Sequence, residues 1–228
     1  MLKSVLVPIH REGWPFVGGF ALVSAGIAWW FEPLGYIVAI LTAWCAYFFR
    51  DPERVTPLRA GLVISPADGV VESIVKATPP EELKMGERPL TRVAIFMNIF
   101  NVHINRIPID GTISVMNYKS GRFFNASLDK ASIHNERQSL KITTTDGTDI
   151  AFVQIAGLIA RRIRCWVTIG SKMQAGERFG LIRFGSRVDV YLPEGIQPFV
   201  STGQTVIAGE SVLADLLTDE LARDGEIR

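Results

Sequence analysis

Charged positions are unevenly spread along the chain. None occurs from residue 14 to 31, none again from 33 to 49, and Glu32 alone separates the two runs. Each run lies near the lower limit of the ~17–25 apolar residues that a bilayer-crossing helix needs. The pattern therefore predicts two short helices, arranged as two spans or as a hairpin dipping into one leaflet. Arg11 before the first run, with Arg50 and Arg54 after the second, puts both flanks on the cytoplasmic side and Glu32-Pro33 at the tip. Trp14, Trp29, Trp30 and Trp44 stand where interfacial aromatics concentrate. A buried hairpin of a soluble protein is the alternative. A cleaved signal peptide fits poorly, because the second apolar run follows at once with no small-residue cleavage site between them.

Beyond Arg54 the texture changes to short β-like runs punctuated by glycine, at 61–65, 69–75, 91–97 and 111–116. Further strands are expected at 140–144, 149–156, 163–169, 179–184 and 188–191, with Asp146-Gly147 turning a hairpin. The charged, proline-flanked stretch 79–89 reads as a mobile surface loop. Near the C-terminus, Gly203 and Gly209 mark two turns six residues apart, each followed by an apolar strand start. That spacing resembles the turns of lipoyl and biotinyl carrier domains and of barrel-sandwich hybrids. No lysine occupies the turn a carrier would modify, so the resemblance bears on fold and not on activity. The expected architecture is mainly β: an antiparallel sandwich, barrel-sandwich-hybrid-like, over 55–228, preceded by a membrane-associated helical segment over 1–54.

Composition narrows the function. Twenty-four Lys plus Arg against twenty-three Asp plus Glu give a formal charge of +1, which provides no field for nucleic acid. The two cysteines, Cys45 and Cys165, fit neither a disulfide framework nor a ligand spacing, and point to a reducing compartment. Three scattered histidines, at 10, 103 and 134, and no acidic cluster at ligand spacing indicate no metal site.

Few residues remain to carry chemistry. His103 lies in the polar cluster Asn-Val-His-Ile-Asn-Arg at 101–106, after an apolar strand; a structural histidine is the plain reading, an acid–base group the functional one. His134 lies in a polar run with Asn135, Glu136 and Arg137, and reads alone as solvated. Asp68 precedes Gly69 between two strands, a common turn pair. Gly185-Ser186 within a β region reads alone as a bulge. Arg161, Arg162 and Arg164 form a charge run that is either a solvated face or a contact to phosphate or carboxylate, which arginine binds in bidentate fashion.

The ordered set is more specific than any member. An apolar pair, then Phe-Arg-Asp-Pro-Glu-Arg at 49–54, Ser-Pro-Ala-Asp-Gly-Val-Val at 65–71, Asn-Val-His-Ile-Asn-Arg-Ile-Pro-Ile-Asp-Gly at 101–111, Asn-Glu-Arg at 135–137 and Phe-Gly-Ser at 184–186 resembles the short form of the phosphatidylserine decarboxylase family, over residues 15 to about 216. The resemblance implies a zymogen that breaks its own chain between Gly185 and Ser186 and converts Ser186 to a pyruvoyl group. Glycine at 185 leaves the scissile carbonyl unshielded, and serine supplies both a nucleophile and an α-hydrogen. The fragments 1–185 and 186–228 would stay together as a heterodimer, and a higher oligomer is compatible with the sequence. The pyruvoyl carbonyl would form a Schiff base with phosphatidylserine at the cell membrane, release carbon dioxide and yield phosphatidylethanolamine.

His103 and Asp68 are the implied base and its orienting carboxylate. Arg106, Arg161, Arg162 and His134 are candidates for the headgroup. Longer family members carry two histidines three residues apart, and here Arg106 stands at the second position. The competing readings are a non-catalytic, membrane-tethered β-sandwich adaptor and a pyruvoyl decarboxylase for another serine phospholipid.

Overall fold

The structure, a computed structural model, describes residues 7–121, 135–157, 162–183, 186–223 and 225–226. The chain divides into two compact units. One runs to Glu53 and takes in Phe100–Val102; the other comprises Arg54–Ile99 and the chain from His103 onward.

In the first unit, helices α1 (Trp14–Trp30) and α2 (Glu32–Phe48) form a hairpin. Pro15 and Pro33 each sit in a first turn, where the missing N–H costs nothing and the fixed φ suits a helix start. Gly35 allows close approach of the two helices: a Cβ there would meet the Ala28 Cβ at 2.4 Å. The Ser24 hydroxyl donates to the Gly35 carbonyl at 2.9 Å. At ~1.5 Å per residue each helix is about 25 Å long, short of the ~30 Å hydrocarbon layer, and no helix among the described residues is long and apolar enough to cross a membrane. No side chain of α1 is buried, and Trp29 and Trp30 at its end are 88% and 90% exposed. Below the hairpin, Arg50 donates to the Phe100 carbonyl at 2.7 Å and lies over the Tyr47 ring.

The second unit is antiparallel β throughout, as the glycine-punctuated runs predict. Its strands are β1 (Leu62–Ile64), β2 (Gly69–Ala77), β3 (Leu90–Met97), β4 (Ile104–Arg106), β5 (Gly111–Lys119), β6 (Arg137–Thr143), β7 (Asp149–Ala156), β8 (Ile163–Cys165), β9 (Lys172–Met173), β10 (Arg178–Ile182), β11 (Ser186–Leu192), β12 (Thr205–Val206) and β13 (Val212–Asp215). Eight form a curled sheet in the order β12-β2-β3-β11-β7-β6-β5-β9; β4-β10-β8 and β1-β13 form two smaller sheets. Asp146-Gly147 turns the β6–β7 hairpin, with Gly147 at φ +86°. Gly203 and Gly209 also take positive φ, in the two C-terminal turns.

The middle of the large sheet is buried on both faces, which is why β3 and β7 read as nearly continuous apolar runs. Met97, Ile95, Val93, Phe152, Ala156, Val188, Val190 and Leu192 face the main core. Ala151, Val153, Ile155 and Tyr191 face a second, smaller core closed by Leu83 and Leu90. The stretch 79–89 is therefore not the mobile surface loop that its charge suggests. Leu83 is fully buried, and Glu82 takes two 2.9 Å bonds from Arg137 and one of 3.1 Å from Ser139.

Desolvation alone would raise the Glu82 carboxyl, but a backbone amide, Arg137 and Ser139 together hold it below the usual range. The clamp is thus fully present above the ordinary glutamate pKa and is lost as pH falls through the lowered one. Leu83→Ala is expected to destabilise the domain by about 2–5 kcal/mol, read as a lower denaturant midpoint. An unchanged midpoint would show that this segment covers nothing.

Candidate active site

Strand β11 alternates Ser186, Val188, Val190 and Leu192 with Arg187, Asp189 and Tyr191, and the alternation sends the two sets to opposite faces. Ser186 opens the strand and is held on both sides, opposite Met97 of β3 and Ala156 of β7. Its side chain is fully buried, and among the described residues its hydroxyl has no hydrogen-bond partner. A buried hydroxyl left so costs about 1–3 kcal/mol. Gly185 lies outside the described residues.

His103 is fully buried and immediately precedes β4; its carbonyl accepts from the Ile182 amide at 3.3 Å. Two residues after His103, Asn105 Nδ2 lies 3.6 Å from the sulfur of Met97, the residue opposite Ser186, so the strand after His103 meets the head of β11. Asp68 sits in the turn before β2. Its carboxylate accepts from Arg54 Nη2 at 2.7 Å and from the Ala208 amide at 2.8 Å, so the second C-terminal glycine turn helps to hold it. That turn segment docks on the strand after His103: the Pro66 carbonyl accepts from the Arg106 amide at 2.9 Å and from Asn105 Nδ2 at 3.4 Å. The topology thus gathers the Asp68 turn, the His103 strand and Ser186 from three distant stretches of chain.

The arginines separate. Arg106 is buried; its Nη1 donates to the Gly176 carbonyl at 2.7 Å, and its stem packs where a Cβ on Gly209 would fall. Arg162 is exposed. The phenol of Tyr118 is raised by desolvation and by the Glu136 carboxylate, with Arg162 acting the other way, which places Arg162 near that pair. His134 and Arg161 lie outside the described residues.

The Asn-Glu-Arg segment, plain polar residues in sequence, is a set of clamps. Asn135 Nδ2 donates to the carbonyl of Ala156, the residue opposite Ser186, at 2.7 Å. Glu136 accepts from Tyr118 at 3.0 Å and from the Ile163 amide at 3.2 Å.

Two features escape a reading of the sequence. On the second face, Arg187 and Asp189 form an ion pair at 2.8 Å, both 1% exposed, with Arg92 3.9 Å from Asp189 and Glu72 4.0 Å from Arg187. Burial, with Asp189 adding to it, pushes the neighbouring Tyr191 phenol up to about 12. On the Ser186 face, Asn105 and Gln154, both fully buried, share a 2.8 Å amide–amide bond. The available signal is a polar residue inside an apolar alternation, as in the run 151–156 or at 187 and 189.

The fold is thus an antiparallel β domain with a fully buried serine at the head of a central strand and a fully buried histidine just before β4. The profile of the phosphatidylserine decarboxylase family matches residues 41–214. The chain is 60% identical, over all its 228 residues and 95% of the relative, to the phosphatidylserine decarboxylase proenzyme of Paramagnetospirillum magneticum. It is 57% identical over its full length to that of Cereibacter sphaeroides, covering 98% of it, and 58% identical over 95% of its length to that of Ruegeria pomeroyi, covering 99%. The chain belongs to the phosphatidylserine decarboxylase family, and so to the decarboxylases.

Proposed function

We propose that this chain is a self-cutting phosphatidylserine decarboxylase that carries its pyruvoyl group at residue 186. The observation that supports it most is the Ser186 hydroxyl: buried, without a hydrogen-bond partner among the described residues, and fixed at the first position of a strand laddered on both sides. Such a terminus stays in place after the bond before it is cut.

In the cutting reaction Ser186 Oγ attacks the carbonyl carbon of Gly185 and gives its proton to His103, which the Asp68 carboxylate helps to orient. The C–N bond breaks, the amide becomes an ester, and the freed nitrogen takes up a proton. Loss of the α-hydrogen of residue 186 then expels the Gly185 carboxylate, and addition of water with loss of ammonia leaves a ketone. The site fits such a group: the enclosed Ser186 side chain becomes a methyl, which needs no hydrogen bond, and the ketone takes the place of the amino group on the α-carbon. When present, it supplies a carbonyl that captures the headgroup amine and takes up the electron pair released with carbon dioxide. His103 then returns a proton to the carbon that lost carboxylate. Exposed Arg162 meets the lipid phosphate or carboxylate, while Arg106, through Gly176, holds the strand that follows His103.

The exposed apolar hairpin, each helix shorter than a bilayer core, enters one leaflet and keeps the catalytic unit, residues 55–228, at the cytoplasmic face. Replacing Trp29 and Trp30 together by Glu is expected to weaken co-sedimentation with phosphatidylserine vesicles at least about tenfold; unchanged sedimentation would refute anchoring by this tip.

The direct test of the activity is release of labelled carbon dioxide from carboxyl-labelled phosphatidylserine in vesicles, compared with free serine. Release from the lipid alone is expected. Equal release from free serine would overturn the assignment of a lipid substrate.

A further inference from the structure

Gln154 breaks the pattern of its strand. Alternate residues Ile150, Phe152 and Ala156 of β7 belong to the main core, and Gln154 shares their face with no exposed surface. Burying an amide there is costly unless it is bonded. One side is: Nε2 donates to Asn105 Oδ1 at 2.8 Å. The other is not, since Oε1 is buried and has no hydrogen-bond partner among the described residues.

The orientation of the pair follows from its surroundings. Asn105 must turn its NH2 group toward the Pro66 carbonyl and the Met97 sulfur, two acceptors at 3.4 and 3.6 Å. Its oxygen therefore faces Gln154, and Gln154 must answer with its own NH2 group. What Gln154 offers to the core is an acceptor. An oxyanion needs donors, so this oxygen does not serve one; it awaits an N–H or O–H.

Space has been kept for the amide. A Cβ on Gly180 of β10 would lie 2.9 Å from Gln154 Nε2 and 3.3 Å from Oε1. The register puts Gln154 opposite Val188 and Ser186 opposite Ala156, so Gln154 and Ser186 are diagonal neighbours on one face, about 7–8 Å apart at the backbone. That separation accommodates a single donor atom between the Gln154 oxygen and residue 186. Two buried oxygens, neither with a hydrogen-bond partner among the described residues, thus stand on one face of the sheet.

We infer that Gln154 Oε1 receives an N–H of the incoming headgroup amine and holds its nitrogen beside residue 186. The inference rests on the reading that residue 186 becomes an amine-capturing carbonyl, and it deepens that reading by naming the group that selects and aims a primary amine. The chain of restraint runs from the Pro66 turn through Asn105 to Gln154.

The test uses the full chain bound to vesicles of phosphatidylserine and phosphatidylcholine, comparing wild type with Gln154→Met and Gln154→Leu. Cutting is followed by the mass of fragment 186–228. Amine capture is followed by the mass gained on that fragment after cyanoborohydride reduction, and hydroxylamine, a small amine that needs no positioning, reports the carbonyl itself. Both variants are expected to cut and to take up hydroxylamine like wild type, while capture of the lipid amine at subsaturating lipid falls about tenfold, the scale of one hydrogen bond to an amine. Undiminished capture overturns the inference. So does failure of both variants to cut, which would assign the amide to the break or to the fold. A wild-type chain that stays whole refutes the underlying reading, is recognised before any amine is added, and removes this inference with it.

Discussion

Ser186→Ala is expected to leave a single uncut chain and to abolish decarboxylation, with the β domain still folded. Among the described residues of β11 no other supplies an Oγ, and the methyl group of alanine fits a position already closed on both sides by Met97 and Ala156. The substitution also removes the one hydroxyl there that lacks a hydrogen-bond partner among the described residues, so stability should rise slightly or stay level. Gel mobility, carbon dioxide release and a denaturant midpoint, taken on one preparation, separate this outcome from misfolding. Residual cutting would place the nucleophile elsewhere.

The second large effect lies on the opposite face of the same strand. Arg187→Ala or Asp189→Ala is expected to cost about 3–5 kcal/mol, because each leaves the other charge buried without its partner. The two are 1% exposed and 2.8 Å apart, so solvent cannot take over the role of the missing group. Replacing both, as Arg187→Met with Asp189→Leu, should cost clearly less than the sum of the single losses. Urea unfolding in the uncut Ser186→Ala background, where the chain is one piece, measures this. Additive losses would mean that the pair carries no coupling. The ion pair acts through position: it pins the first and third residues after Ser186, and so fixes the start of β11 whether or not the preceding bond is intact.

Much of this architecture is legible in the residues, and the exceptions have physical causes. The apolar runs at 14–31 and 33–49 give two helices, since nothing but Glu32-Pro33 interrupts them. Residues 149–156 and Asp146-Gly147 give their strand and turn because a short apolar run of strand length follows a strong turn pair. The short strands β4 and β9 are invisible locally: two or three residues carry no period, and only pairing with distant strands defines them. The strand expected over 163–169 ends at Cys165 for the same reason. Stretch 79–89 misleads because Glu82 is bonded to Arg137 and Ser139, which lie far along the chain, while Leu83 and Met85 pack against the second core and the other charges stay exposed.

At the candidate site, motif order singles out Ser186, His103 and Asp68 as the proposed groups, but not their neighbours. Arg54 on Asp68, Asn105 on Gln154 and Asn135 on the Ala156 carbonyl all join residues that only the sheet order brings together. Arg187 and Asp189 share the face of β11 on which Tyr191 joins the second core, and nothing in the motif order points to them.

Cutting at one bond underlies every catalytic step assigned here. Its most direct measure is the intact mass of the smaller fragment of protein expressed with the native serine. The account predicts a fragment spanning 186–228 whose first residue carries a ketone in place of its amino group, blocked to sequencing and reactive toward hydroxylamine. A fragment beginning with an ordinary free serine, or only the whole chain in preparations that release carbon dioxide, would contradict it.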